Sequence, residues 1–337
     1  MELAAVLFNM SKGESALARN RTGDWLDEDF DPNAGRRKAA AAAKGLRGER
    51  DDRYSDRAVM DDILLHAEDP DAQAAAFSPT YQGSRYERVW ILMYLGPFYD
   101  RRLISDVLRK VKGGKEATVY CCRGGNASPQ ELVAAKVYRP RQFRNLRNDA
   151  LYRQGREVLG ARGQPVRDRR ALLAIRAGTR KGKEMEHVSW LAHEYASLQK
   201  LHAASVPVPQ PVAFANNTVL MEYFGEVGRP APTLQSVTLK VGEARDLFAA
   251  LLRDVEIMLA HGTVHADLSA FNVLYRPGEY RIIDFPQAVD PVTHGTAFPL
   301  LQRDVTRLCQ YFARYDIAAD GASLARAIWD RHMTDLV

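Results

Sequence analysis

The chain has 337 residues, 46% of them hydrophobic and 26% charged, with a formal net charge of +5. That is enough for a two-lobed globular domain plus an extra segment. No apolar run approaches the ~20 residues of a membrane-spanning helix, and the N-terminus lacks the basic flank and apolar core of a signal peptide. No membrane partner and a cytoplasmic setting are therefore expected. Cys121, Cys122 and Cys309 are odd in number and lack metal-ligand spacing, which argues against a disulfide framework or a zinc site.

Residues 1–85 read as a low-complexity, partly disordered extension. An acidic stretch at 27–32, a basic Gly-Arg-Arg-Lys with an alanine run at 35–43, and mixed charges at 48–57 contain few large apolar residues. Met60-Asp-Asp-Ile-Leu-Leu-His66 has the pattern of a short helix. From Tyr86 the chain becomes globular, beginning with the apolar run Val89–Leu95. Leu103–Val111 reads as a strand or short helix, and 117–122 and 132–138 as strands joined by a hairpin connection. Residues 139–186 are arginine-rich without sustained periodicity and read as a flexible insertion.

His187–Leu201 then predicts a helix, with Leu191, Tyr195, Leu198 and Leu201 at helical spacing. Pro207, Pro209 and Pro211 end it. Strands on either side of Asn216-Asn217 form a hairpin. Leu247, Leu251, Val255 and Leu259 share one face of a second helix that Gly262 caps. Two short strands meet at Pro277-Gly278, and helices follow near 298–313 and 321–333. The fold class is α+β: a sheet-rich lobe over 86–225, with one helix, and a helical lobe over 226–337.

The chemistry concentrates in His265-Ala-Asp267-Leu-Ser-Ala-Phe-Asn272 and in Ile282-Ile-Asp284-Phe, seventeen residues beyond Asp267. A strand hairpin brings Asn272 and Asp284 to one edge. An amide and a carboxylate suit Mg²⁺, a hard ion that takes oxygen ligands and keeps its waters. Asp267 can orient an attacking hydroxyl and accept its proton. Taken singly, each aspartate reads as a turn or cap residue; the joint spacing is that of a kinase catalytic loop and metal aspartate. Upstream, Lys136 sits inside an apolar strand, where a charge is costly without a partner. The α- and β-phosphates of ATP and Glu194 are its expected partners. Gly113, Gly114, Lys115, Glu116 and Val119 form a candidate phosphate loop, since glycines allow close backbone approach. It matches neither G-x-G-x-x-G nor the Walker A pattern. Met221, Glu222 and Tyr223 follow a strand where the two lobes join, and their backbone can meet adenine.

Together these residues resemble the RIO family of atypical protein kinases over roughly residues 103–315. The likeness lies in Gly114-Lys-Glu-Ala-x-Val-Tyr120, His265-Ala-Asp-Leu-Ser-x-Phe-Asn272, Ile283-Asp-Phe-Pro-Gln-Ala-Val289, Val206-Pro-Val-Pro-x-Pro211 and Arg303-Asp-Val305. The 53 residues after Asp284 contain no Ala-Pro-Glu motif, and RIO proteins similarly lack an activation segment. The resemblance implies a bilobal protein-kinase-like fold with a reduced helical C-lobe. It also implies Mg-ATP as cofactor, with Mn²⁺ as an alternative ion, and serine autophosphorylation or ATPase activity. Its residue roles are Lys136, Glu194 and Asp267 in catalysis and Asn272 and Asp284 at the metal. Asp284 is the position that the family's aspartyl phosphate would occupy. Partners are a protein substrate or the chain itself, with the ribosomal subunit or RNA carried over more weakly. Two rival readings remain: a small-molecule kinase of the aminoglycoside or choline type, and an RNA-associated assembly factor switched by ATP.

Overall fold

The computed structural model describes residues 77–114, 117–138, 156–160, 163–215 and 217–333. Most of the N-terminal extension, the Met60–His66 segment, residues 139–155 of the insertion, Lys115, Glu116 and Asn216 lie outside these residues.

Strands β1 (Ile104–Gly113), β2 (Ala117–Gly124), β3 (Leu132–Tyr138), β4 (Pro211–Ala215) and β5 (Thr218–Glu222) form one antiparallel sheet in the order β1-β2-β3-β5-β4. Leu103–Val111, read as strand or short helix, is resolved as strand from Ile104. The sheet is covered on both faces, and the alternation of its side chains assigns each residue to one. Val133, Ala135 and Val137 pack under α1 (Arg85–Asp100) with its Ile91, Leu95 and Phe98. Ala134 and Tyr138 face the other way, toward Leu191 and Leu198. The adjacent Cys121 and Cys122 divide between the two faces, and both are buried free thiols. Burial raises the Cys121 pKa to about 11, so it behaves as a small packing residue. The apolar run 89–95 lies within α1, whose Glu87 accepts a hydrogen bond from the Tyr120 hydroxyl at 2.9 Å.

The insertion expected over 139–186 is corrected in its later part. Residues 169–186 are largely helical: α2 is Arg169–Arg176, and α3 is Arg180–Ala203, beginning seven residues before the predicted His187. Each helix has a side-chain N-cap, Asp168 Oδ1 accepting from Arg170 N at 2.9 Å and Thr179 Oγ1 from Gly182 N at 3.1 Å. The two cross closely at Gly182, where a Cβ would lie 2.1 Å from the Ala174 carbonyl oxygen. Lysine, arginine and glutamate are good helix formers. The first two turns of α3 carry no apolar stripe, so periodicity did not reveal them.

The second lobe follows a short hairpin of β6 (Gly225–Glu226) and β7 (Arg229–Pro230). Helix α4 (Val241–Ala260) buries Leu247, Leu251, Val255 and Leu259, and Gly262 follows with φ +62°. Helix α5 (Ala297–Phe312) packs beside it, with Phe312 5.1 Å from Phe248 between ring centroids, and α6 is Gly321–Met333. Between α4 and α5 runs the hairpin of β8 (Val273–Arg276) and β9 (Glu279–Ile282). Its two-residue turn places Gly278 at φ +81°. No described helix is long and apolar enough to cross a membrane.

Candidate active site

Lys136 lies on β3 in phase with Ala134 and Tyr138, so its side chain leaves the sheet on the α3 face. Its Nζ is 2.7 Å from Glu194 Oε1 and 2.6 Å from Asp284 Oδ1. Glu194 is only 2% exposed, and its second oxygen accepts from the Tyr138 hydroxyl. A buried carboxylate thus has a cation on one oxygen and a donor on the other, the satisfaction that burial requires. Burial opposes the charge on Lys136, but Asp284 and Glu194 outweigh it and raise its pKa well above the ordinary lysine value. Desolvation pushes the Asp284 carboxyl up, but the Lys136 ammonium opposes it and, with other nearby cations, leaves a net depression. Asp284 is held at φ +75°, in the left-handed region that side chains other than glycine seldom occupy.

The 265–272 loop is fixed from two sides. His265 Nε2 is 3.1 Å from the Ile283 carbonyl, and its Nδ1 accepts from Asp267 N at 3.3 Å. These partners assign the neutral Nε2–H tautomer, and burial lowers the His265 pKa in agreement. From the other side comes α5. Asp304 is buried and accepts from Ala266 N at 2.7 Å and Leu268 N at 3.1 Å, while Arg303 donates to the Ala266 carbonyl. Ala266 itself has φ +63°. Asp267 emerges between these anchors, its Oδ1 2.8 Å from Arg307 Nη1. Asn272 Nδ2 donates to the Asp267 carbonyl at 2.9 Å and to Oδ2 at 3.3 Å, which leaves the Asn272 amide oxygen as its remaining acceptor. Ile283 N donates to the Asn272 carbonyl at 2.9 Å, extending the β8–β9 pairing and setting Asn272 beside the Asp284 backbone.

A cavity of about 580 Å³ opens on this cluster. Gly114 and Val119 line it from the β1–β2 side, and Met221, Glu222 and Tyr223 from the strand where the lobes join. Lys136, Glu194, Asn272 and Asp284 line it as well. Gly113 ends β1 beside Gly114. Asp267 lies beyond the lining and is joined to it through Asn272. The Glu222 carboxylate is committed to Arg281, at 2.9 and 3.1 Å, and to Gln210 N at 3.2 Å, so the side chain is held by the protein. The volume suits a nucleotide-sized ligand. Its wall carries two lysines, Lys112 and Lys136, with the Asp284 carboxylate and the Asn272 amide, a set that suits a polyphosphate with a hard divalent ion. No group of three or more His, Cys, Asp or Glu forms a metal cluster among the described residues.

Sequence reasoning missed Tyr138, Arg307 and Arg281. Tyr138 had a signal, being two residues from Lys136 on a strand. The ion pairs of Arg307 and Arg281 join residues 40 and 59 positions apart, and no local pattern announces them.

A family model described as RIO domain matches residues 152–324. The chain is 29% identical over 228 residues to the human serine/threonine-protein kinase RIO1, covering 67% of this chain and 36% of the relative. It is 35% identical over 131 residues to the RIO-type serine/threonine-protein kinase Rio1 of Thermoplasma acidophilum, covering 39% of this chain and 67% of the relative. The Haloferax volcanii Rio1 is 31% identical over 214 residues, with 64% and 66% covered. The chain thus spans about a third of the human relative and about two thirds of the archaeal ones. Among solved structures, a Rio2 kinase–ADP/Mg²⁺–phosphoaspartate complex from Chaetomium thermophilum aligns with TM-score 0.47 and 19% identity, over 77% of each chain. By the matched model and the archaeal likeness, this chain belongs to the RIO domain family.

Proposed function

We propose that this chain is an ATP-dependent serine/threonine protein kinase or ATPase that transfers the γ-phosphoryl group of Mg-ATP, with itself as one acceptor. The observation that carries the reading is the largely enclosed Lys136 ammonium, shared by Glu194 and Asp284 on the wall of a cavity that Asn272 also lines. In this reading Lys136 holds the α- and β-phosphates and Glu194 orients Lys136. Gly113, Gly114 and Val119, with Lys115 and Glu116, cradle the phosphates, and the backbone of Met221, Glu222 and Tyr223 receives adenine. Asn272 and Asp284 hold Mg²⁺ or Mn²⁺ through hard oxygen donors. The bound ion neutralises charge on the phosphate oxygens. Asp267 orients the acceptor hydroxyl and takes up its proton. We take residues 86–225 and 226–337 as the two lobes and 1–85 as an extension.

The test is incubation of the full chain with γ-labelled ATP and Mg²⁺ beside Asp267→Ala and Asp284→Ala. Free phosphate and protein-bound label are both followed. Turnover should fall ~10²-fold or more without Asp267, the usual contribution of a positioned acid or base. Undiminished turnover in Asp267→Ala removes that role. Acid-stable label marks a serine ester, whereas acid-labile label released by hydroxylamine near neutral pH marks an aspartyl phosphate. The cytoplasmic setting and an RNA or ribosomal partner belong to the same reading by family likeness. A steep fall of RNA binding with salt is the expected signature of such a partner.

A further inference from the structure

Helix α5 turns three side chains of one face onto the three residues 266–268. Arg303 and Asp304 hold the backbone on either side of Asp267, and Arg307, one turn further on, holds the carboxylate itself. The Asp267 side chain is therefore gripped at both oxygens, Oδ1 by the Arg307 guanidinium at 2.8 Å and Oδ2 by the Asn272 amide at 3.3 Å. Two donors on two oxygens remove the rotation about χ2 that a free carboxylate keeps.

We propose that Arg307 is a positioning residue for phosphoryl transfer, fixing the Asp267 carboxylate in the orientation that receives the acceptor hydroxyl. The inference rests on the kinase reading above. The competing interpretation is an ordinary surface ion pair. Arg307 and Asp267 are 39% and 41% exposed, and pairs of this kind add little to stability. That same exposure makes the idea testable, because removing Arg307 leaves no buried charge behind and the fold will survive. The neighbouring polar groups also separate their duties. Asp304 and Arg303 contact only the loop backbone, so they hold the loop whether or not Arg307 is present. Arg307 alone on α5 reaches the carboxylate that does chemistry.

Transfer depends on alignment: a misplacement of about 1 Å costs ~10²-fold in rate. Full-length wild type, R307A, R307K and Asp267→Ala are compared for kcat and KM with Mg-ATP, for ADP affinity and for thermal midpoint. R307A should lose kcat on the order of 10²-fold while KM, ADP affinity and midpoint stay at wild-type values. R307K, which keeps the charge but not the planar fork, should recover part of the loss. Added ethylguanidinium should restore R307A and leave Asp267→Ala inactive, a response that a structural role does not give. Wild-type kcat in R307A overturns the proposal. So does a kcat loss that travels with ADP affinity and ignores ethylguanidinium. Failure of the parent reading is distinct, since the wild-type chain would then show no turnover of Mg-ATP at all.

Discussion

The five-stranded sheet and the 265–268 loop are stabilised by opposite means. The sheet is sandwiched between α1 and α3, and its alternating side chains fill an apolar cluster on each face. The loop carries a left-handed alanine and is held by directional bonds: its His265 to the Ile283 carbonyl, its N–H groups to the Asp304 carboxylate, and Arg303 and Asn272 to its carbonyls. Apolar burial is non-directional and sums over area. Polar anchoring is directional and fixes individual atoms. The sheet thus supplies a rigid floor for Lys136, and the loop supplies atomic placement for Asp267.

That contrast breaks if a sheet substitution alters chemistry. Phe98 is fully buried beneath the face of the sheet opposite Lys136. Phe98→Ala should cost about 3–5 kcal/mol of unfolding free energy by urea titration, the usual range for emptying such a site. Turnover per folded molecule should remain at the wild-type value. A large fall in kcat of the folded fraction would show that packing under α1 also tunes the site.

The same contrast explains what could be read from the chain. Strand β3 announced itself by its apolar run, and Lys136 stood out because a charge there needs a partner. The α4 stripe of Leu247, Leu251, Val255 and Leu259 was equally plain. Asn272 and Asp284 come together because a two-residue turn at Pro277-Gly278 dictates the register between them. The start of α3 was illegible, since Arg180–Glu186 is polar and its helix is fixed by capping and by the Gly182 crossing. The Asp304 and Arg307 contacts were hidden for another reason. They depend on how α5 docks against a loop some 40 residues earlier, which no periodicity encodes.

Asp304 sharpens the polar side of the comparison. Burial pushes its carboxyl up to about 7, against Arg303 and the two backbone donors. A folded-state value above the unfolded one means that the folded chain binds the extra proton between about pH 4 and pH 7. Stability from this group is therefore fully present at the acid end and is lost as pH rises through about 7. Asp304→Asn should destabilise by about 1–3 kcal/mol, since its amide N–H₂ faces a backbone donor. The gap between wild type and variant should narrow as pH rises across that window. A gap that widens instead means that Arg303 and the backbone donors outweigh burial.

The smallest expected effect isolates the backbone of the loop. The φ of Ala266 costs a residue with a Cβ about 1–2 kcal/mol, which glycine does not incur. Glycine also brings an unfolded-state entropy cost of about 0.5–1 kcal/mol, and the buried methyl is worth about 0.8 kcal/mol. The three terms nearly cancel, so Ala266→Gly should change unfolding free energy by less than about 1 kcal/mol, read by urea titration. The decisive comparison is between this variant alone and in the Asp304→Asn background. If α5 holds the loop against its own strain, relieving the strain should help more once the Asp304 anchor is weakened, and the two substitutions will not add. Strict additivity would mean that the left-handed turn is set by the chain on either side of it, with Asp304 merely satisfying donors that were already in place.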